Sequence, residues 1–300
     1  WLTKSDRLSD DEIVRLAEVF VARGVSSIRL TGGEPLVHPT LVPMVARLAA
    51  LSPRPELSLT TNGVSLTRSA ADLVAAGLDR INISVDTLDR ERFAQLTRRD
   101  RLDDVLAGVA AAAAAGITPL KINTVLIRDS NLAEAPALLE WALRAGYQLR
   151  FIEHMPLDAD RTWSREGMVT ADEILELLTA SYQLAPRGHD GHAPAEEFDV
   201  IDGPGRDSWA VAPGRVGVIA SVTRPFCRDC DRLRLTADGQ LRTCLFALDE
   251  TDLRAPLRAG ASDEELGAII ASAVEGKQAG HGIGTATFVQ PDRTMSAIGG

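Results

Sequence analysis

The chain reads as an α/β protein: a partial (β/α)6 barrel of the TIM type, followed by a smaller α+β region. Three observations predict this. From residue 9 to about 180, short β-branched runs alternate with amphipathic stretches of helical period. The helical stretches close on Gly24, Gly77, Gly116 and Gly146, where a left-handed residue commonly ends a helix. Beyond about residue 181 the alternation stops, and Gly, Pro and Asp become frequent. The expected domains are therefore 1–180, the barrel, and 181–300, the α+β region.

The elements follow in order. Ser9-x-x-Glu12 is a capping box that opens a helix running to about Arg23. SSIRLTGG reads as a strand ending in a glycine turn, VPMVARLAAL as a helix, LSLTTNG as a strand and RSAADLVAAG as a helix. RINISVD is the next strand, followed by helices around RERFAQLT and DVLAGVAAAAAAG. PLKINTVLI, EAPALLEWALRAG, QLRFIEHMP and TADEILELLTA complete the series as strand, helix, strand and helix. Strands separated by helices imply βαβ units and a parallel sheet. The first helix has no strand before it, and the chain opens on Trp1 rather than Met. This reads as a fragment that begins inside a loop, with its first strand lost. In the second region HDGHAPAEEFDVIDGPGRDS reads as an exposed loop, WAVAP and RVGVIAS as short strands, and EELGAIIASAVEG as a helix.

Composition bounds the function. The chain is 45% hydrophobic and 25% charged, near the globular average, which excludes disorder. A net charge of −10 leaves no global basic footprint, and 4% aromatic content argues against a base-stacking surface, so no nucleic-acid partner is expected. The longest apolar stretch, Val105 to Leu120, is shorter than a bilayer span and contains Gly116 and Pro119. No membrane partner is expected.

The three cysteines, Cys227, Cys230 and Cys244, stand together as C-x2-C-x13-C. Structural zinc takes four ligands, whereas an iron–sulfur cluster held by three thiolates leaves one iron open to a small molecule. Zinc with a histidine as fourth ligand is the alternative. None of His38, His154, His189, His192 and His281 lies at a short ligand spacing from the triad. The small, odd cysteine count points to a reducing, cytoplasmic setting.

In (β/α) barrels the chemistry sits at the C-terminal ends of the strands. Those ends carry Thr31-Gly32-Gly33-Glu34-Pro35, Thr60-Thr61-Asn62-Gly63, Ser84-Val85-Asp86, Asn123 and Glu153-His154-Met155-Pro156, polar or small at each one. Two glycines in TGGEP let a ligand approach the backbone closely, and Glu34 suits an ammonium partner. No G-x-x-x-x-G-K-[ST] is present, and Gly280, Gly282 and Gly284 read as a loop. In DRLRL, period two puts Arg232 and Arg234 on one face beside the cysteines, an arrangement suited to a phosphate chain. Arg29, Lys121 and Arg150 lie within strands, where an uncompensated charge is costly, so they point to the barrel interior and an anionic ligand.

The motifs IRLTGGEP, LTTNG, INISVDTLD, RFIEHMP, PFCRDCDRLRLTADGQLRTCLF and the terminal MSAIGG, in this order, resemble the GTP 3′,8-cyclase family of radical S-adenosylmethionine enzymes. The resemblance covers essentially the whole chain. It implies a barrel of the radical S-adenosylmethionine type and cyclisation of GTP to 3′,8-cyclo-7,8-dihydro-GTP, an early step of molybdenum cofactor biosynthesis. It implies that Gly33, Ser84 and Met155 contact S-adenosylmethionine, with Glu34 near its amino group. Arg29, Thr60, Lys121, Arg150, Arg232, Leu233 and Arg234 would hold GTP. Cys227, Cys230 and Cys244 would ligate an auxiliary [4Fe–4S] cluster whose open iron meets the guanine. Gly299 and Gly300 would insert into the active site. An electron donor and the cyclic pyranopterin monophosphate synthase are the implied partners, for a monomer or homodimer.

One departure accompanies the resemblance. The family's C-x3-C-x2-C motif, which holds the cluster that cleaves S-adenosylmethionine, is not among these 300 residues. The chain starts just downstream of where it would stand, so the fragment by itself is expected to be inactive. Two other readings remain open at this stage: a radical S-adenosylmethionine enzyme acting on a peptide, and a non-catalytic zinc-stabilised binding module.

Overall fold

The computed structural model describes residues 2–3, 5–158, 161, 163–189, 193–227, 230–278, 282–283 and 288–298. In chain order the first elements are α1 (Asp10–Ala22), β1 (Ser27–Leu30), α2 (Leu41–Ala49), β2 (Glu56–Thr61), α3 (Ala70–Ala75) and β3 (Arg80–Ser84). Next come α4 (Arg90–Thr97), α5 (Leu102–Ala114), β4 (Lys121–Leu126), α6 (Ala135–Ala145), β5 (Gln148–Glu153) and α7 (Ala171–Thr179). The remainder holds β6 (Gln183–His189), β7 (Glu196–Asp202), β8 (Gly214–Ile219), β9 (Arg234–Leu235), β10 (Gln240–Arg242), β11 (Thr251–Asp252), α8 (Arg254–Arg258), α9 (Asp263–Glu275) and α10 (Met295–Ile298).

Local chemistry explains the boundaries. Helices α1, α7 and α9 each start at a reciprocal capping box: Ser9 with Glu12, Thr170 with Glu173, Ser262 with Glu265. Each such cap is worth about 1 kcal/mol. The glycines at 24, 77, 116 and 146 all have positive φ, as the helix ends require.

The chain forms two compact units. One comprises Thr61–Ala70 and Arg80–Cys230. Its strands run in the order β3-β4-β5-β8-β7-β6, parallel from β3 to β8 and antiparallel from β8 to β6. Ile81, Ile83, Ile122, Leu149, Phe151, Val216 and Val218 fill one sheet face and are all buried, and α6 and α7 pack against β5 and β8. Gly108 of α5 sits over the TTNG turn, where a Cβ would come within 2.1 Å of Gly63 O, so only glycine allows that approach.

The other unit comprises Trp1–Thr60, Ala71–Asp79 and Asp231–Gly300. It contains the parallel pair β1–β2 and a small antiparallel sheet β11-β10-β9. Its core joins Leu8, Leu16, Val19 and Phe20 to Leu241, Leu253, Leu257, Leu266 and Ile270.

The fold class is the partial TIM-type barrel the sequence predicts, with three local corrections. RVGVIAS forms β8, which pairs parallel with β5 and so extends the parallel sheet. EEFDVID, expected within a loop, is β7, because Phe198 and Val200 alternate inward and outweigh the surrounding Gly and Pro. WAVAP is not a strand: a short 3-10 turn ends at Ser208, and the Trp209 indole N–H donates to Pro204 O at 3.1 Å. Among the described residues no helix is long and apolar enough to cross a membrane.

Candidate active site

Period two divides the parallel strands into an apolar face and a polar one. Asn82 and Ser84 of β3, Lys121 and Asn123 of β4, and Gln148 and Arg150 of β5 share the polar face. Asn82 lies level with Lys121, and Lys121 with Gln148; Ser84, Asn123, Arg150 and Gly217 form the next rung. Arg150 is 7% exposed. Its Nε donates to Asn123 Oδ1 at 3.0 Å and its Nη2 to Asn82 Oδ1 at 2.8 Å. These two amide oxygens orient the guanidinium. A Cβ at Gly217 would lie 3.1 Å from Arg150 Cγ, so the missing side chain makes room for the arginine stem. Gln148 Nε2 donates to the buried Glu197 at 2.7 Å. Lys121 is half-buried and Ser84 exposed.

In the other unit, Arg29 of β1 is level with Ser58 of β2, and its Nε donates to Ser58 Oγ at 3.3 Å. Arg29 is exposed rather than buried, and Thr60, two residues beyond Ser58 on the same face, is half-buried. Gly33 is exposed, and Glu34 Oε1 accepts the Leu36 N–H at 3.0 Å, capping the 3-10 turn at Pro35–Val37.

The strand ends carry two acids that the sequence placed there without assigning them a role. Asp86 Oδ1 accepts the Val125 N–H at 2.8 Å, and burial pushes its carboxyl up to about 6 against that bond. Its turn is tied on both sides. Asn131 Nδ2 donates to Asp86 O and Val125 O, and Glu134 accepts from Thr87 Oγ1 and Leu88 N. Glu153, fully buried at the end of β5, accepts four bonds: Ala171 N at 2.8 Å, Val222 N at 2.7 Å, Thr223 N at 2.9 Å and Thr223 Oγ1 at 2.5 Å. It thereby fixes both the start of α7 and the segment that leads to Cys227. Beyond it, His154 O accepts the Trp163 indole N–H at 2.7 Å. Burial lowers the His154 pKa, and the neighbouring Asp158 offsets part of the effect. Met155 is half-buried, and its carbonyl accepts the Leu157 N–H at 2.8 Å.

The three cysteines are half-buried and form no disulfide. Cys230 N–H donates to Cys227 O at 3.4 Å, which places these two on one turn. Cys244 follows β10, and the Phe246 N–H points to its Sγ at 3.4 Å, a bond that suits a thiolate. Arg242, two residues earlier, is 2% exposed, and its Nη2 bonds Leu245 O and Ala247 O across the cysteine turn. Its Nε is buried and has no partner among the described residues. Among the described residues, no three His, Cys, Asp or Glu side chains are gathered as a metal-holding group. The donor set itself, three soft and unbridged thiols, fits an iron–sulfur cluster. Strand β9 covers only Arg234 and Leu235, so Arg232 precedes it. Leu233 and Leu235 pack against the core, which leaves the alternating arginines on the opposite side. Gly299 and Gly300 lie outside the described residues.

The sequence reading missed Asn82, Gln148, Glu197 and Asn131. The alternation in RINIS, KINTVL and QLRFIE marks the first two as sharing a face with Lys121 and Arg150.

Residues 2–142 match the Radical SAM superfamily model, and residues 147–283 match Molybdenum Cofactor Synthesis C. A protein of Streptomyces coelicolor named GTP 3′,8-cyclase is 58% identical over the whole of this chain and 86% of its own length. A namesake from Mycolicibacterium smegmatis is 54% identical over the whole chain and 82% of its own length. The GTP 3′,8-cyclase of Paenarthrobacter nicotinovorans is 52% identical over the whole chain and 87% of its own length. With more than half of its residues shared along its entire length, the chain belongs to the GTP 3′,8-cyclase family of the radical S-adenosylmethionine superfamily.

Proposed function

We propose that this protein cyclises GTP to 3′,8-cyclo-7,8-dihydro-GTP with S-adenosylmethionine as the radical source, early in molybdenum cofactor biosynthesis. The observation that carries the reading is Arg150, a buried guanidinium on a polar sheet face, aimed by two neutral amides. A guanidinium held in this orientation suits the oxygens of an anionic ligand. Arg29, Thr60, Lys121 and Arg150, with Arg232, Leu233 and Arg234, hold the triphosphate and nucleoside. Gly33, Ser84 and Met155 contact S-adenosylmethionine, and Glu34 lies near its ammonium.

Cys227, Cys230 and Cys244 would hold a [4Fe–4S] cluster; the soft thiol donor set, not tied up in disulfides, and the Phe246 N–H at Cys244 support this. When bound, the family's clusters and S-adenosylmethionine supply the electron and the radical that removes the ribose 3′ hydrogen. The chain's own residues orient the ribose towards C8 of guanine and exclude water. Gly299 and Gly300 complete the site, where the absence of side chains permits close approach. In this division of labour residues 1–180 serve radical generation and 181–300 serve the auxiliary cluster and substrate. A reducing cytoplasm suits the open thiols. An electron donor feeds the reaction, and the cyclic pyranopterin monophosphate synthase takes the product.

The test uses a form carrying the family's C-x3-C-x2-C segment, reconstituted anaerobically with dithionite, S-adenosylmethionine and 3′-deuterated GTP. The expected result is deuterium in 5′-deoxyadenosine together with cyclised nucleotide. Formation of 5′-deoxyadenosine without deuterium would sink the proposal.

A further inference from the structure

Arg293 carries a charge network that the cyclisation reading does not use. Its Nη1 and Nη2 fork onto the two oxygens of Asp238 at 3.0 and 2.8 Å. Its Nη2 also reaches Glu250 Oε2 at 2.8 Å, and its Nε lies 2.7 Å from Glu250 Oε1. All three nitrogens of one guanidinium are thus engaged by two carboxylates, each more than four-fifths buried. Glu250 also pairs with the buried Arg242, which spans the Cys244 turn. Asp238 lies in the β9–β10 turn and accepts the Thr236 hydroxyl at 2.6 Å. Burial pushes the Asp238 carboxyl up, but Arg293 and Thr236 outweigh it and hold the pKa below the ordinary value.

Exposed ion pairs contribute little, but this one is forked, shared and largely buried. Of its four members, Asp238, Arg242 and Glu250 belong to the hairpin region around Cys244, and Arg293 alone comes from the C-terminal segment. The five residues after it continue the anchoring: Thr294 O accepts the Ala297 N–H at 2.9 Å, Met295–Ile298 form α10, and Ile298 is buried.

We propose that Arg293 is a positioning residue that pins the C-terminal segment to the cysteine-bearing hairpin, so that whatever follows Ile298 is delivered from a fixed point. The proposal rests on the reading above that Gly299 and Gly300 complete the active site. Arginine is required because only a planar fork engages two carboxylates at once; lysine keeps the charge but not the geometry.

The experiment compares the cluster-loaded protein with Arg293→Lys, Arg293→Met and Asp238→Asn. Amide exchange of residues 294–298 should accelerate about 10- to 100-fold in Arg293→Met and Asp238→Asn, and less in Arg293→Lys. Iron content should hold, since Arg242 keeps Glu250. Cyclised GTP per 5′-deoxyadenosine should fall in the same order as the exchange rises. Unchanged exchange in all three variants overturns the proposal. Faster exchange with wild-type coupling also overturns it, provided that deletion of Gly299 and Gly300 abolishes coupling. If that deletion leaves coupling intact, the reading of the two glycines fails instead, and the exchange data alone decide whether Arg293 is the pin.

Discussion

Asp86→Asn should stabilise the protein above neutral pH, and the gain should disappear in acid. The carboxyl of Asp86 is raised from an ordinary 3.8 to about 6 because burial disfavours its charged form more than the Val125 N–H favours it. Between these two values the native state binds more protons than the unfolded chain, so stability falls as pH rises. At about 1.4 kcal/mol per pKa unit, the full penalty is about 3 kcal/mol, present in full above pH 7. Asparagine keeps a carbonyl oxygen for the Val125 N–H and carries no charge. The difference between variant and parent should be about 3 kcal/mol at pH 8, about 1.5 at pH 5 and about 0.5 at pH 4. Urea unfolding of both proteins across this range, with the midpoint and slope read separately, measures it. A variant less stable than the parent at pH 8, or a difference that stays constant from pH 4 to 8, would refute the reasoning. A strand-end carboxylate that costs stability at working pH is the kind of group that accumulates at functional positions.

Gly217→Ala places a Cβ 3.1 Å from Arg150 Cγ and 3.2 Å from Ala195 Cβ, so the arginine stem must move. GTP affinity should fall by about tenfold with the fold retained, measured by equilibrium dialysis and circular dichroism; unchanged affinity would separate Arg150 from the substrate. Replacing Cys227, Cys230 or Cys244 with serine should each lower bound iron after anaerobic reconstitution, and wild-type iron in all three would remove the triad from any cluster. Arg232→Ala and Arg234→Ala should weaken GTP by about 10- to 150-fold, while guanosine is little affected. Equal losses for both ligands would show that these side chains do not read phosphate.

Much of the barrel was legible because its signals are local. Capping at Ser9 and Glu12, the glycine stops and the period-two strands each act within a few residues. β7 was hidden because its inward residues, Phe198 and Val200, are only two and stand among acids and glycines. The partner of β8 was invisible for a different reason. RVGVIAS announces a strand, but which strand it joins is a long-range choice made by packing against β5. The site divides in the same way. Arg150 could be chosen from its charge within a strand. Asn82 and Asn123, which aim it, are ordinary polar residues whose role exists only once three strands lie in register.

Charged residues at the strand and hairpin ends explain how the cysteine-bearing segments are held. Sequence chemistry marks thiols but says nothing about what keeps their loops in place. In the unit containing Cys227 and Cys230, the fully buried Glu153 is saturated by four donors, two of them backbone amides of Val222 and Thr223 just upstream. In the unit containing Cys244, buried Arg242 bonds the carbonyls of the cysteine turn, and Glu250 holds the arginine. The two anchors have opposite charge because they read opposite ends of the peptide group. A carboxylate gathers N–H donors and a guanidinium gathers carbonyls, and each removes backbone groups from solvent that would otherwise let the loop fray. Each anchor is also costly to mutate alone: losing Glu153 leaves buried backbone N–H donors unsatisfied, and losing Arg242 takes a buried cation from Glu250. Glu153 is the last residue of β5, so the strand that positions Arg150 also fixes the approach to the first two thiols.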